Sequence, residues 1–203
     1  MKKIVTLVLA VALISMAGQT FAQSIGGKLG VNFAKVTGDG TDKVEMNTGL
    51  AAGVFINIPV VPSLLSIQPE ILYSQKGFKV ESELLGVNVT SKTWINYIEI
   101  PVMAKVTIPV VPIYAMAGPY VGYALNGKID VNGTSEDIAG EDMDKRFDYG
   151  LNLGLGYEKG FGPVKVFLDA RYGIGFANII DSEDIKNSNS VISLTAGVRL
   201  GLF

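Results

Sequence analysis

The sequence predicts an all-β protein: a closed, antiparallel, up-and-down transmembrane β-barrel of eight strands, with short turns at one end and long loops at the other. Three observations lead there. Eight segments alternate apolar residues with polar residues or glycine, the period of two that gives a strand unlike faces. Those segments run to about 9–15 residues. Soluble strands usually have ~5–6, whereas tilted membrane strands have ~9–11. The connections between segments alternate short and long.

Residues 26–34 set Leu29, Val31 and Phe33 against Lys28, Gly30 and Asn32. Residues 48–58 set Leu50, Ala52, Val54, Ile56 and Ile58 against Gly49, Ala51, Gly53, Phe55 and Asn57. Residues 66–76 oppose Ile67, Ile71 and Tyr73 to Gln68, Glu70, Ser74 and Lys76. In residues 94–108, Ile98, Ile100, Val102, Val106 and Ile108 oppose Tyr97, Glu99, Lys105 and Thr107. Residues 113–125 form the fifth segment. The sixth, residues 147–158, is the clearest: Phe147, Tyr149, Leu151, Leu153, Leu155 and Tyr157 face one way, and Asp148, Gly150, Asn152, Gly154, Gly156 and Glu158 the other. Residues 164–176 repeat the pattern, and residues 191–202 close the set. Pro69, Pro101 and Pro119 fall inside these segments and each removes a ladder donor, so bulges or local breaks are expected there.

The pentapeptide "IPVVP" occurs twice, at residues 58–62 and 108–112, and its prolines are expected to end the second and fourth strands. "KGFGP" closes the sixth. Four long polar connections remain, at residues 37–47, 80–93, 127–146 and 178–190. They carry fourteen of the nineteen acidic residues against six basic ones. Leu84, Leu85 and Val87 make the second partly apolar, so it is expected to fold over the rim or to extend a hairpin. Short turns with both termini at one end, and long loops at the other, put the turns in the periplasm and the loops outside the cell.

The non-apolar face carries Lys28, Lys76, Lys105, Lys165, Arg171 and Arg199 with Glu70, Glu99, Asp148, Glu158 and Asp169. Mixed charges among glycines suit the narrow inside of an eight-strand barrel, where opposite charges pair and fill the lumen. The apolar face sorts its aromatics by height. Phe33, Tyr73, Trp94, Tyr123, Phe147, Tyr149, Tyr172 and Phe176 lie toward the loops, while Tyr157, Phe161 and Phe203 lie toward the short turns. Two such belts match the headgroup girdles of a membrane barrel.

The chain has no Cys and no His, which removes disulfides, imidazole chemistry and the usual zinc sites. Residues 1–22 read as a signal peptide: a basic "MKK", an apolar run too short to span, and Thr20 and Ala22 at the −3 and −1 positions of a cleavage site before Gln23. Residues 23–203 are then the mature barrel domain. Its net charge is about −4 once Lys2 and Lys3 are gone, so a nucleic-acid partner is not expected.

Several segments resemble one family in order and over nearly all of the mature chain. "GGKLGVNFAKVTGD", "GLAAGVFINIPV", "LSIQPEILYSQKGF", "INYIEIPVMAKV", "YAMAGPYVGYAL", "DYGLNLGLGYE" and "VFLDARYGIGFANI" resemble the PorT-like, or porin-family, outer-membrane β-barrel proteins of Gram-negative bacteria. The resemblance implies a location in that outer membrane. It also implies contact with its lipid and with the assembly machinery through the C-terminal strand, which ends in Phe203 although alternation places that residue off the lipid face.

No cofactor, metal site or enzymatic activity is expected. Glu141 and Asp142 read as solvating loop carboxylates. "DVNGTSED" at residues 130–137 faintly suggests a calcium loop but lacks the ligand spacing and the closing Glu. The expected role is structural or surface-interacting, through acidic extracellular loops that could meet an envelope or surface protein. The alternatives are a narrow channel or a subunit of an envelope transport or secretion complex, and a soluble periplasmic barrel holding a small apolar ligand.

Overall fold

The computed structural model describes residues 23–38, 44–84, 87–140, 146–177 and 187–202. The leader expected over residues 1–22 lies outside the described residues, as do Leu85, Glu141, Asp142 and Phe203.

The described strands are β1 (Ser24–Gly38), β2 (Val44–Val61), β3 (Leu65–Leu84), β4 (Val87–Thr107), β5 (Ile113–Val131), β6 (Thr134–Ile138), β7 (Phe147–Phe161), β8 (Val164–Gly175) and β9 (Asn187–Gly201). All except β6 close into one ring in which every neighbour is antiparallel, with β4 pairing to β5 and β9 returning to β1. This is the eight-strand barrel that the alternation predicts. Closure leaves the ring no free edge.

The stagger of the ring can be followed residue by residue. From Thr107 the pairing runs to Tyr114, Gly156, Asp169, Thr195, Gly30, Ala51, Ser74 and back to β4 at Tyr97, ten residues below its start. A stagger of ten over eight strands tilts them by roughly 40° to the axis, given ~3.3 Å per residue and ~4.8 Å between strands.

The strands outrun the segments visible in the sequence. β3 and β4 stay paired up to Leu84 and Val87, so the second long connection is a projecting hairpin rather than a cover over the rim. In the third, β5 pairs with β6 across Asn132 and Gly133, whose φ angles of 50° and 89° are those of a type I′ turn.

The two "IPVVP" copies turn in different places. In the first, β2 continues through Pro59 to Val61 with a register shift between those residues, and the chain reverses at Pro62 and Ser63 (φ 62°) as Leu64 N–H bonds to Val61 O. In the second, β4 has already ended at Thr107, and the turn spans Ile108 to Val111, with Val111 N–H bonded to Ile108 O. The second copy lies wholly in the turn, because its strand ends just before the copy begins, whereas the first copy's strand runs on through its first proline. The third short connection is the tight turn at Gly162–Pro163, where Gly162 takes φ 64°.

The internal prolines break pairing without bulging it. Pairing lapses where Pro69 would face β2, where Pro101 would face β3 and where Pro119 would face β4, yet the register on either side is unchanged. Of the bulges or local breaks expected at these positions, local breaks occur; register shifts lie elsewhere, between Met46 and Ala51, at Pro59/Val61, and between Asn96 and Tyr97. A proline forfeits one N–H bond. Slipping a strand inside a closed ring would also turn its lumen residues outward.

Candidate functional site

Alternation inside the ring sends one set of residues into the bore and the other onto the outer wall. Leu155 and Leu168 on the wall are 63% and 62% exposed, whereas Glu70 in the bore is 2% exposed. Water would not tolerate such a wall, but hydrocarbon does.

The bore is crossed by ion pairs. Glu70 on β3 accepts a two-pronged bond from Arg171 on β8, at 2.8 and 2.9 Å, and a third from Lys28 Nζ on β1 at 2.6 Å. Arg171 also bonds Asp169 at 2.6 Å. Gln68 donates to Glu70 at 2.8 Å and accepts from Asn57, which accepts in turn from Arg199 at 2.8 Å. Arg199 pairs with Glu158, which also holds Lys105 at 2.9 Å and Lys165 at 3.3 Å. These side chains form one connected network from the short-turn mouth to the middle of the bore. Nearer the loops, Lys76 bridges Glu99 at 2.6 Å and Asp148 at 2.8 Å, its ammonium 4.5 Å from the centre of the Tyr120 ring. Asn189 donates to Asp148 at 2.9 Å. Between the two groups lies a cavity of about 30 Å³, touched by Lys28, Arg171, Lys76 and Glu99. It has room for about one water.

Every charged residue that the sequence assigns to the lumen takes part in these pairs. Ten of the side chains are well covered; Lys165 differs, with its side chain 47% exposed at the short-turn mouth.

Aromatic rings fill the bore as well as charges do. Phe55, Met103, Tyr114, Met116 and Phe167 form a buried apolar cluster within the same bore, with Phe55 and Phe167 edge to face at 5.5 Å. Four bore aromatics each sit opposite a glycine on the neighbouring strand: Phe55 on Gly26, Tyr114 on Gly156, Tyr120 on Gly150 and Phe167 on Gly197. A Cβ on Gly156 would stand 2.1 Å from the Tyr114 ring, and one on Gly26 2.3 Å from Phe55. The bore glycines therefore make room for rings. The signal lay in the alternation, which already put Phe55 and Phe167 on the glycine-rich face; the strand register was needed to pair them.

On the outer wall, Tyr73, Tyr123 and Phe147 lie in one row of paired residues with Ile98, and Tyr123 meets Phe147 edge to face at 5.2 Å. Tyr149, Tyr172 and Phe176 are exposed toward the loops, and Tyr157 and Phe161 toward the short turns. Phe33 pairs with Thr48 and Ile192 on the same upper part of the wall. Trp94 donates its indole N–H to Thr48 O at 3.0 Å. Above the barrel, Asp130 closes the β5–β6 hairpin by accepting from Ser135 Oγ at 2.8 Å and Gly133 N–H at 3.0 Å, and these bonds hold its carboxyl below the usual range. The segment that faintly suggested a calcium loop is this hairpin, with one of its carboxylates engaged by the turn.

An apolar wall around a polar, side-chain-packed bore defines a transmembrane β-barrel of the small, eight-strand class. The chain belongs to the family described as "Outer membrane protein beta-barrel domain", which matches residues 21–181; the protein is accordingly one of the Gram-negative outer membrane. Among solved structures it is similar to Neisserial surface protein A (NspA), with 14% identity over 89% of this chain and 97% of that one and a TM-score of 0.47. It is also similar to Ail, the attachment invasion locus protein of Yersinia pestis (13% identity, 89% and 100% covered, TM-score 0.39). A third likeness is the N-terminal barrel domain of Pseudomonas aeruginosa OprF (13%, 88% and 97% covered, TM-score 0.38). No curated protein matches the chain significantly.

Proposed function

We propose that the protein is a closed outer-membrane barrel whose bore serves stability and whose extracellular loops serve a structural or surface-interaction role. The observation that carries this reading is the bridging of the bore by buried ion pairs from three different strands at Glu70 alone. Moving ions or solutes past them would require breaking buried charge pairs beside a cavity with room for only about one water. The same packing argues against a small apolar ligand inside, and the apolar outer wall argues against a soluble periplasmic barrel.

The reading includes cleavage after Ala22, a mature domain over residues 23–203, and assembly through the C-terminal strand. The order of the resembling segments supports a place among PorT-like barrels, and the fourteen loop acids favour a partner with basic patches on its surface. No catalytic role is proposed. Purified protein in planar bilayers is expected to show no steady conductance; openings of defined size would overturn the filled-bore reading in favour of a narrow channel. Cross-linking on intact cells is expected to capture an envelope or surface protein through the loops.

A further inference from the structure

The outer wall changes character within one residue row. Tyr73, Ile98 and Tyr123 form one row of the upper aromatic belt across β3, β4 and β5, two outward rows below Trp94. The next outward-facing row is Gln75, Asn96 and Asn126, and these amides are bonded to each other: Gln75 Nε2 to Asn96 Oδ1 at 3.0 Å and Asn96 Nδ2 to Asn126 Oδ1 at 2.6 Å. The register shift beside Asn96 keeps Asn126 on this face. Without the extra residue at Leu125, alternation would turn Asn126 into the bore and present a different set of side chains outside. One row higher come Trp94, Lys128 and Asp137, which are paired neighbours across β4, β5 and β6.

Together with Ile138 and Ala139 at and just past the end of β6, these residues line an open cleft of about 730 Å³. That is the size of a small-molecule site, ~300–1,000 Å³. It stands on the outside of the barrel, just above the aromatics that mark the hydrocarbon boundary, so it opens at the height of the outer-leaflet headgroups. Its chemistry is specific. Fixed amides offer both donors and acceptors, an indole offers a flat apolar face, and Lys128 is outnumbered by Asp130 and Asp137, so the cleft has no cationic excess to select a phosphate. Hydroxyl-rich rings with one apolar face fit such a surface, because each hydroxyl both donates and accepts while the ring's C–H face lies on an aromatic.

We propose that this cleft binds saccharide, with the sugar headgroups of outer-leaflet lipid as one source and free oligosaccharide as the other. The proposal goes beyond the surface role proposed above and is independent of conductance or loop partners, so either can fail without the other.

Trp94 is the one tryptophan of the chain, so its fluorescence reports this cleft directly. The full chain is reconstituted in phosphatidylcholine vesicles. One arm adds the phosphate-free glycolipid digalactosyl diacylglycerol to the bilayer. The other adds a delipidated, dephosphorylated core oligosaccharide to the solution. The expected result is a saturable blue shift in at least one arm. A response to glycolipid alone assigns lipid headgroups, and a response to oligosaccharide assigns free glycan. Asn96→Ala and Asn126→Ala are each expected to weaken binding about five- to tenfold, the worth of one or two hydrogen bonds. Both keep the barrel ring, which is checked by heat-dependent gel mobility. Should either fail to fold, retention of the glycolipid by the Trp94→Leu variant, expected to fall by a similar factor, replaces it. Silence in both arms, or an equal shift in the amide variants, overturns the proposal.

Discussion

Toward the short turns, carboxylates are shared among cations: Glu70 between Arg171 and Lys28, and Glu158 among Arg199, Lys105 and Lys165. Toward the loops the relation is inverted, and one ammonium, Lys76, is shared between Glu99 and Asp148. The lower group sets five cations against three carboxylates, counting Asp169, and the upper group one against two. The difference concerns redundancy. Glu70 keeps a guanidinium fork if Lys28 is lost, whereas Glu99 and Asp148 have no second cation among the ion pairs described. The upper plug hangs on a single amine.

The strongest way to break this contrast is Lys76→Met, which leaves two carboxylates buried side by side. It is expected to cost about 3–5 kcal/mol of barrel stability, measured by denaturant unfolding in micelles. Adding Glu99→Gln and Asp148→Asn to that variant should return much of the loss. Lys28→Met is the matched change below. It is expected to cost less, about 1.5–3 kcal/mol, the worth of a hydrogen bond to a charged group; an equal or larger loss than at Lys76 would erase the contrast. Gly156→Ala tests the uncharged part of the lower bore by driving a methyl into the Tyr114 ring, beneath which lies Lys105, 3.7 Å from the ring centre. Overpacking of that kind costs about 1–3 kcal/mol, and a smaller residue at Tyr114 should relieve it.

The smallest effect belongs to the exposed hairpin. Asp130 accepts from Ser135 and Gly133 more strongly as a carboxylate than as the neutral acid, and its pKa is lowered by those bonds. Its contribution is therefore complete above the ordinary carboxylate range and is lost as pH falls through the depressed folded value. The protection of the Gly133 amide relative to its intrinsic exchange rate should fall on that acid limb, and Asp130→Asn should abolish that change in protection.

Much of this molecule was legible before any coordinates. Residues 147–158 declare their two faces one residue at a time, because side chains on a strand alternate whatever the strand pairs with. The same alternation set eleven charged residues on one face. The Asn-Gly pair at residues 132–133 is an equally plain hairpin signal, set in a segment whose acids read as a polar loop. The outer cleft was not legible. Its amides come from β3, β4 and β5, and a one-residue bulge decides that Asn126 joins them.

The two "IPVVP" copies mark the boundary. Local chemistry determined that both would lie where strands turn, since proline fixes φ and removes a donor wherever it stands. Which proline makes the turn was decided by the neighbours: β3 continues pairing with the first copy up to Val61, while β4 releases its partner at Thr107. By itself, then, the sequence determined strand, face and number, which depend on residues two apart. Only the closed ring decided stagger, charge partners and the ring-on-glycine contacts, because each of these joins residues tens to more than a hundred positions apart.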